Sequence, residues 1–357
     1  MPRFYPLKIQ AIRKETEDCV SLTFDVPEAL QKEFAFKPGQ HLTLRTFING
    51  EDVRRSYSIC SSPREGRLQV AVKKLFGGQF SSFANEKLQA DDVLDVMPPM
   101  GSFTTELNPT HQKHYVAFAA GSGITPVISI LKAVLQTEPN SHFSIFYGNR
   151  SARSIIFKEE IEGLKNQYMD RLSIYYFLSQ EDPGSQLFHG RITAEKCEQV
   201  FIKLLDVSQI DEFFICGPGP MIEAVQDSLA HQGVEKRKIH FELFTSPETQ
   251  SKADTPRWTP PSQPVVSKIT ITLDGKTFSF NHTSSGRPIL EAAQITGADL
   301  PYSCKGGVCC TCKAKILKGE VAMEVNYGLD PEEVQAGYIL TCQAHPVTDE
   351  VVLSFDQ

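Results

Sequence analysis

Four cysteines constrain this chain more tightly than anything else in it: Cys304, Cys309, Cys312 and, far downstream, Cys342. Their spacing is C-x4-C-x2-C followed by a distant fourth cysteine, the plant-type pattern that holds a [2Fe–2S] cluster on four thiolates. The loop between them contains Gly306 and Gly307. Both glycines are expected to take positive φ and bring backbone N–H groups close to the sulfurs, which stabilises the reduced, more negative cluster. The competing chemistry is structural zinc, usually built from two C-x2-C pairs. Only Cys309 and Cys312 are so spaced, and the run to Cys342 is long, so the cluster fits better. Cys310 lies inside the loop but off the pattern and reads as a small packing residue. Cys19, Cys60, Cys197 and Cys216 are scattered without framework spacing, as reduced thiols of a cytoplasmic protein would be.

A cluster domain needs only the end of the 357 residues, and the remainder is long enough for two more cores. The join is visible in the sequence. SPETQSKADTPRWTPPSQP, residues 246–264, holds five prolines and almost no aliphatic residue, which is the composition of a semi-rigid linker. Its Trp258, the only tryptophan, is expected to dock the linker on a domain. We therefore divide the chain into residues 1–105, 110–245, a linker at 246–265, and a cluster domain at 266–357. More than half of the net charge of −7 falls after Ser267. The acidic group Glu320, Glu324, Asp330, Glu332 and Glu333 is either a solvated face or a docking surface for a basic partner. Nothing supplies the basic patch a nucleic-acid-binding surface wants. No apolar run approaches the ~18 residues that span a bilayer, and MPRFYPLKIQ lacks the apolar core of a signal peptide. A cytoplasmic chain without nucleic-acid or membrane partners is the expectation.

Residues 1–105 alternate as short strands: Val20, Leu22 and Phe24; Leu42 and Leu44; Leu68, Val70 and Val72; then Val93 to Met97. Pro38-Gly39 and Asn49-Gly50 supply turns, and the whole suggests an antiparallel β-barrel. Two stretches look chemical. In Arg55-Ser56-Tyr57-Ser58, strand alternation puts Arg55 and Tyr57 on one face, a cation for phosphate beside a ring for stacking. Gly77-Gly78-Gln79-Phe80-Ser81 opens a helix whose free N–H groups, with Ser81 beside them, form an anion site or an ordinary cap.

Residues 110–245 read as an α/β domain on a parallel sheet. His114–Ala120, Phe143–Tyr147, Leu172–Leu178 and Phe213–Cys216 are apolar throughout, as strands buried on both faces are. Helical stretches at Val127–Gln136, Phe157–Lys165 and Met221–Gln232 separate them. The first strand runs into Gly121-Ser122-Gly123-Ile124-Thr125-Pro126. Gly123 would let the backbone approach a pyrophosphate, and Pro126 suits a first helical turn. A proline stands where the third glycine of G-x-G-x-x-G would be, so this is not that fingerprint. After the second strand come Arg150, Ser151 and Arg153, where an NAD site usually has an acidic side chain; arginine there accommodates a 2′-phosphate and favours NADPH over NADH. The fourth strand ends at Cys216-Gly217-Pro218, with room for a nicotinamide ring. Past the linker, Lys268–Leu273 and Thr277–Phe280 flank the hairpin signature Asp274-Gly275, and Pro288–Gln294 reads as a short helix before the cysteine loop.

Together these motifs resemble the ferredoxin–NADP reductase superfamily over essentially the whole chain. The resemblance implies that Arg55 binds the FAD pyrophosphate, Tyr57 stacks on the isoalloxazine and Ser58 hydrogen-bonds near flavin N5, within the tetrad that includes Ser56. It places Gly77, Gly78 and Ser81 in a second phosphate loop, Gly121, Gly123, Thr125 and Pro126 in the NAD(P) loop, and Cys216, Gly217 and Pro218 beside the nicotinamide. His240-Phe241-Glu242-Leu243-Phe244 resembles the closing segment, with Glu242 and Phe244 near the flavin. The order of domains, ending in a β-grasp-like α+β ferredoxin, is that of oxygenase reductases. LRTFINGEDVRRSYSICSS, AAGSGITP, FYGNRS and the stretch from Leu300 to Ala344 resemble the reductases of phenylacetyl-CoA epoxidases, which implies a di-iron epoxidase as electron acceptor. The smaller phthalate-dioxygenase type has the same domain order but is associated with FMN and NADH.

The order of parts makes redox sense. NADPH yields electrons in pairs and a [2Fe–2S] cluster takes them singly, so a flavin belongs between them. The expected path is NADPH to FAD to cluster to an external oxygenase, with Tyr57, Ser58, Cys216 and Glu242 around the reacting centre. The alternatives are an NADH-dependent reductase of another ring-hydroxylating oxygenase, a stand-alone reductase with broad acceptors, and a zinc-holding interaction module, which would leave every glycine motif unused.

Overall fold

The computed structural model describes residues 3–244 and 264–356. The linker expected at 246–265, apart from its last two residues, and the docking expected of Trp258 lie outside the described residues. Three cores follow one another along the chain.

The first is a six-stranded antiparallel sheet: β1 (Tyr5–Thr16), β2 (Cys19–Asp25), β3 (His41–Ile48), β4 (Glu51–Ser58), β5 (Leu68–Lys73) and β6 (Val93–Val96), in the order β4-β3-β6-β1-β2-β5. Its two edge strands meet where Ile59, just past β4, bridges Val70 in β5, and this closes the sheet towards a barrel. Inward residues Leu7, Ile9, Leu22, Leu42, Leu44, Val70, Val72 and Val96 are fully buried, as the alternation demands. The β3–β4 hairpin turns on Asn49 and Gly50, both at positive φ (53° and 83°), the backbone a tight two-residue loop needs. Helix α1 (Gln79–Glu86) seals one end with Phe80 and Ala84 buried.

The second core is the parallel sheet β7 (His114–Ala120), β8 (His142–Asn149), β9 (Leu172–Leu178), β10 (Glu212–Gly217) and β11 (Ile239–Leu243), in the order β11-β10-β7-β8-β9. Helices α2 (Ile124–Thr137), α3 (Lys158–Gln167), α4 (Ala194–Lys203) and α5 (Gly219–His231) connect the strands. Helix α2 begins three residues earlier than its apolar pattern indicates, because Gly121–Gly123 forms a 3-10 turn that leads straight into it. Helix α4 lies outside the helical stretches expected from the sequence, and β11 contains most of the segment His240–Phe244 that the sequence marks as the closing one. Lys132, only 1% exposed, ties this core to the barrel by reaching Glu65 at 3.0 Å and Glu160 at 2.9 Å.

The third core is a mixed sheet of β12 (Val266–Leu273), β13 (Lys276–Thr283), β14 (Lys313–Lys318), β16 (Tyr338–Leu340) and β18 (Glu350–Ser354), with the small pair β15 (Val321–Met323) and β17 (Ala344–Pro346). Strands β12 and β18 run parallel and the other pairs antiparallel. Helix α6 (Ile289–Ile295) buries Ile289, Leu290, Ala292 and Ala293, and α7 (Pro331–Gln335) starts from a capping box formed by Asp330 and Glu333. Two more contacts engage the acidic group: Glu324 meets His345 at 2.7 Å and Glu333 meets Lys313 at 2.8 Å. Among the described residues no helix is long and apolar enough to cross a membrane.

Candidate functional site

The cysteine loop presents its thiols in pairs. Cys304 hydrogen-bonds with Cys309, and Cys312 with Cys342. Within each pair the bond holds one thiol up and the other down, so Cys309 and Cys342 fall below the usual thiol range while Cys304 and Cys312 rise. Cys304, Cys309, Cys312 and Cys342 are the thiols that would hold a [2Fe–2S] cluster, as their C-x4-C-x2-C…C spacing implies. Backbone N–H groups point at the sulfurs as expected: Gly306 N donates to Cys304 Sγ at 3.3 Å and Cys304 N to Cys309 Sγ at 3.4 Å. The expected positive φ holds for Gly307 (75°) but not for Gly306; Lys305 (52°) and Cys310 (53°) take the left-handed conformation instead, reversing the chain on either side of the amide that reaches Cys304. Cys310 is not a fifth donor, since its thiol donates to the Gly328 carbonyl at 2.6 Å.

On the barrel, Arg55 is exposed on β4, and Tyr57 packs its ring 5.4 Å from that of Phe80. An exposed cation beside a ring that burial keeps in the phenol form suits a flavin phosphate and a flavin ring. The glycine turn carries Gly77 at φ 72° with open space around it. Ser81 Oγ faces inward across the turn, accepting from Leu75 N at 3.1 Å and donating to Gly78 O at 3.3 Å, and Gly78 N donates to Leu75 O at 3.1 Å, so both residues shape the loop. Leu75 and Phe76 stand out from this loop into solvent.

On the α/β sheet, Gly123 packs so tightly that a Cβ there would overlap the carbonyl of Cys216. This close approach, rather than a third glycine, brings the NAD(P) loop and the nicotinamide-side strand end together. Thr125 Oγ1 donates to Ser122 O at 3.0 Å, and Pro126 lies buried in the first turn of α2. Pro218 caps α5 directly after Gly217. Lys73, at the end of β5, places its ammonium above Gly121; sequence reading missed it because nothing local distinguishes one lysine of Lys73-Lys74. Arg150 pairs with Asp18 at 3.1 Å, Ser151 caps the following turn, and Arg153 is exposed.

The three cores converge on Glu242. It is the register partner of Cys216 across β10 and β11. Its carboxyl accepts from Ser58 Oγ at 3.0 Å and lies 4.0 Å from His41 Nδ1. Burial pushes it up to about 8, against the Ser58 hydrogen bond that lowers it, and the thiolate of Cys309 is near enough to raise it further. His41, which sequence reading missed, is held neutral by burial against Cys309. Thus Ser58, Cys216, Glu242 and Cys309 form one neighbourhood, while Phe244 stands partly exposed at its margin.

Comparison with known proteins decides the family. Residues 6–105 match the oxidoreductase FAD-binding domain, 118–227 the oxidoreductase NAD-binding domain and 271–347 the 2Fe-2S iron-sulfur cluster binding domain. One component of the 1,2-phenylacetyl-CoA epoxidase of Escherichia coli (strain K12) is 44% identical over 356 residues, which is 100% of this chain and 99% of that protein. The chain belongs to the three-domain oxygenase reductase family.

The reductase is also 35% identical over 354 residues to the ferredoxin reductase component of the 3-ketosteroid-9-alpha-monooxygenase of Rhodococcus rhodochrous, covering 98% of this chain and 96% of that one. Its fold matches phthalate dioxygenase reductase with a TM-score of 0.59 at 24% identity, covering 99% and 98% of the two chains. An intact type IV self-sufficient cytochrome P450 monooxygenase gives a TM-score of 0.71 at 22% identity, covering 99% of this chain and 41% of that one. The reductase is a NAD(P)H-dependent flavin and iron–sulfur oxidoreductase that uses FAD, a nicotinamide nucleotide and a [2Fe–2S] cluster. Reductase components of this kind hand electrons to an oxygenase.

Proposed function

We propose that this reductase draws electrons from NADPH and delivers them to the di-iron oxygenase of a phenylacetyl-CoA epoxidase in the cytoplasm. The observation that carries the reading is the 44% identity to a component of such an epoxidase over the full length of both chains. Bound FAD would take an electron pair from the nucleotide and pass electrons singly to the cluster. The residues of this chain bind and orient. Arg55 and the Gly77 amide hold flavin phosphates, and Tyr57 supports the ring, while Ser56 takes the opposite face of the strand. Gly121, Gly123 and Thr125 shape the cradle for the dinucleotide, whose pyrophosphate Lys73 neutralises. Cys216, buried and kept as the thiol, packs beside the nicotinamide. Glu242 keeps a proton beside Ser58 at neutral pH. Cys304, Cys309, Cys312 and Cys342 hold the cluster.

Preference for NADPH rests on Arg150 and Arg153. Two carboxylates stand near them, but Asp18 is occupied by Arg150 and Glu181 by the Ala152 amide. Arg153 makes no ion pair among the described residues and is free to meet a 2′-phosphate. The test is an anaerobic titration with NADPH and NADH, followed by visible and EPR spectra. Flavin bleaching and a plant-type cluster signal are expected, both faster with NADPH; faster reduction by NADH would overturn the nucleotide assignment. Electron delivery to a purified epoxidase oxygenase component tests the partner, and failure there with intact spectra would overturn that assignment alone.

A further inference from the structure

Strand β4 is used on both faces. Arg55 and Tyr57 lie on the side assigned to flavin, whereas Arg54, Ser56 and Ser58 alternate to the other. Ser58 meets Glu242 there. Ser56 Oγ donates to Ser303 Oγ at 2.9 Å, and Thr43, its register partner on β3, lies 3.2 Å from Thr311 Oγ1. Ser303 and Thr311 immediately precede Cys304 and Cys312. The cluster loop is therefore fastened to the back of the strand whose front would carry the flavin.

Arg54 is the charged side chain that β4 sends into this seam, and it is only 5% exposed. Three hydrogen bonds at 2.8–3.2 Å tie its guanidinium to Asp52 on its own strand. The same guanidinium donates across the seam to Asp299 at 3.0 Å and lies 4.3 Å over the ring of Tyr302. Lys305 covers Tyr302 as well, at 4.6 Å, so the ring just before Ser303 takes two cations. Asp52 neutralises Arg54 whether or not the cluster domain is seated, so what seating adds is the bond to Asp299 and the stack on Tyr302.

We propose that Arg54 is a positioning residue for the electron transfer between flavin and cluster, clamping the cluster domain onto strand β4 through Asp299 and Tyr302. The inference rests on the electron path proposed above. Arg54 touches neither the thiols nor the flavin face of the strand, and it acts by setting how closely the two approach. A planar guanidinium is required, because one group must serve Asp52, Asp299 and a ring face together, which an ammonium does poorly.

The test uses the full-length protein loaded with FAD and cluster, comparing Asp299→Ala, Arg54→Ala and Arg54→Lys with the parent. Asp299 has a largely exposed side chain, so its removal keeps the test open if Arg54→Ala fails to fold. Stopped-flow reduction by NADPH separates flavin bleaching from cluster reduction. Bleaching and the EPR line shape should match the parent, while cluster reduction slows about tenfold in both alanine variants and recovers partly in Arg54→Lys. Hydrogen exchange at residues 299–304 should rise in the same variants, a readout independent of turnover. Cluster reduction and exchange at parental values in Asp299→Ala and Arg54→Ala would overturn the clamp while leaving the path intact. A parent protein whose cluster takes no electrons from the flavin would overturn both.

Discussion

Ser58 and Glu242, 184 residues apart in the chain, share a hydrogen bond of 3.0 Å that joins the flavin barrel to the last strand of the nucleotide domain. Glu242 is half-buried, with its carboxyl pushed up to about 8 by desolvation and so protonated at neutral pH, and it lies between Cys216 on the neighbouring strand and Cys309 in the cluster loop. The point where three domains meet is thus held together by a neutral acid.

That protonation has a sign that can be checked. Burial raises Glu242 to about 8 from an ordinary carboxyl value, so between those limits the folded protein binds more protons than the unfolded chain. Stability contributed at this position is full below the ordinary carboxyl range and is lost as pH rises through the folded value near 8. Glu242→Gln stays neutral throughout. Thermal unfolding from about pH 5 to pH 9 should show the variant gaining on the parent with rising pH, by about 1–3 kcal/mol at the alkaline end. Parallel curves would mean Glu242 is ionised in the folded protein.

Cys342→Ser should destroy the pair with Cys312 and with it the plant-type EPR signal. NADPH-dependent reduction of a dye that accepts electrons from the flavin should stay within about twofold of the parent, while delivery to the oxygenase falls by about 100-fold or more. Full delivery with an unaltered cluster spectrum would remove Cys342 from the ligand set.

Gly123→Ala forces a Cβ into the carbonyl of Cys216. The strand end must shift, and the variant should lose about 1–3 kcal/mol of stability. Its KM for NADPH should rise, with FAD content unchanged. A parental KM would show that the loop does not touch the nucleotide.

Arg153→Ala should raise the KM for NADPH by about tenfold and leave that for NADH unaltered, because only the 2′-phosphate is lost as a partner. Arg150→Ala should behave alike, with Asp18 left to Lys73 at 3.8 Å. Equal effects on both nucleotides would place these arginines elsewhere on the dinucleotide.

The parts legible in the sequence are those carried by local chemistry. The Cys304–Cys312 run, the apolar runs of β7 and β9, and the turns at Asn49-Gly50 and Asp274-Gly275 each depend on residues close together in the chain, and the structure contains them. Site residues that depend on long-range contact are not legible. His41 opens an ordinary alternating strand, and only the fold shows it between Glu242 and Cys309. Lys73 is one of two adjacent lysines until β5 delivers it above Gly121. Arg54 reads only as the neighbour of the flavin tetrad, because alternation shows which face a residue takes but not what waits on that face. Composition points to positive φ at Gly306, yet Lys305 and Cys310 bend the chain instead.

The groups through which the cluster domain grips the barrel, Asp299, Tyr302, Ser303 and Thr311, occupy one short window of sequence between α6 and β14. Affinity for this flavoprotein is therefore portable. A foreign plant-type ferredoxin given only Asp299, Tyr302, Ser303 and Thr311 around its own cysteine loop would acquire the docking address of this reductase, so chimaeras could change the driving force of the last step without redesigning the contact that permits it.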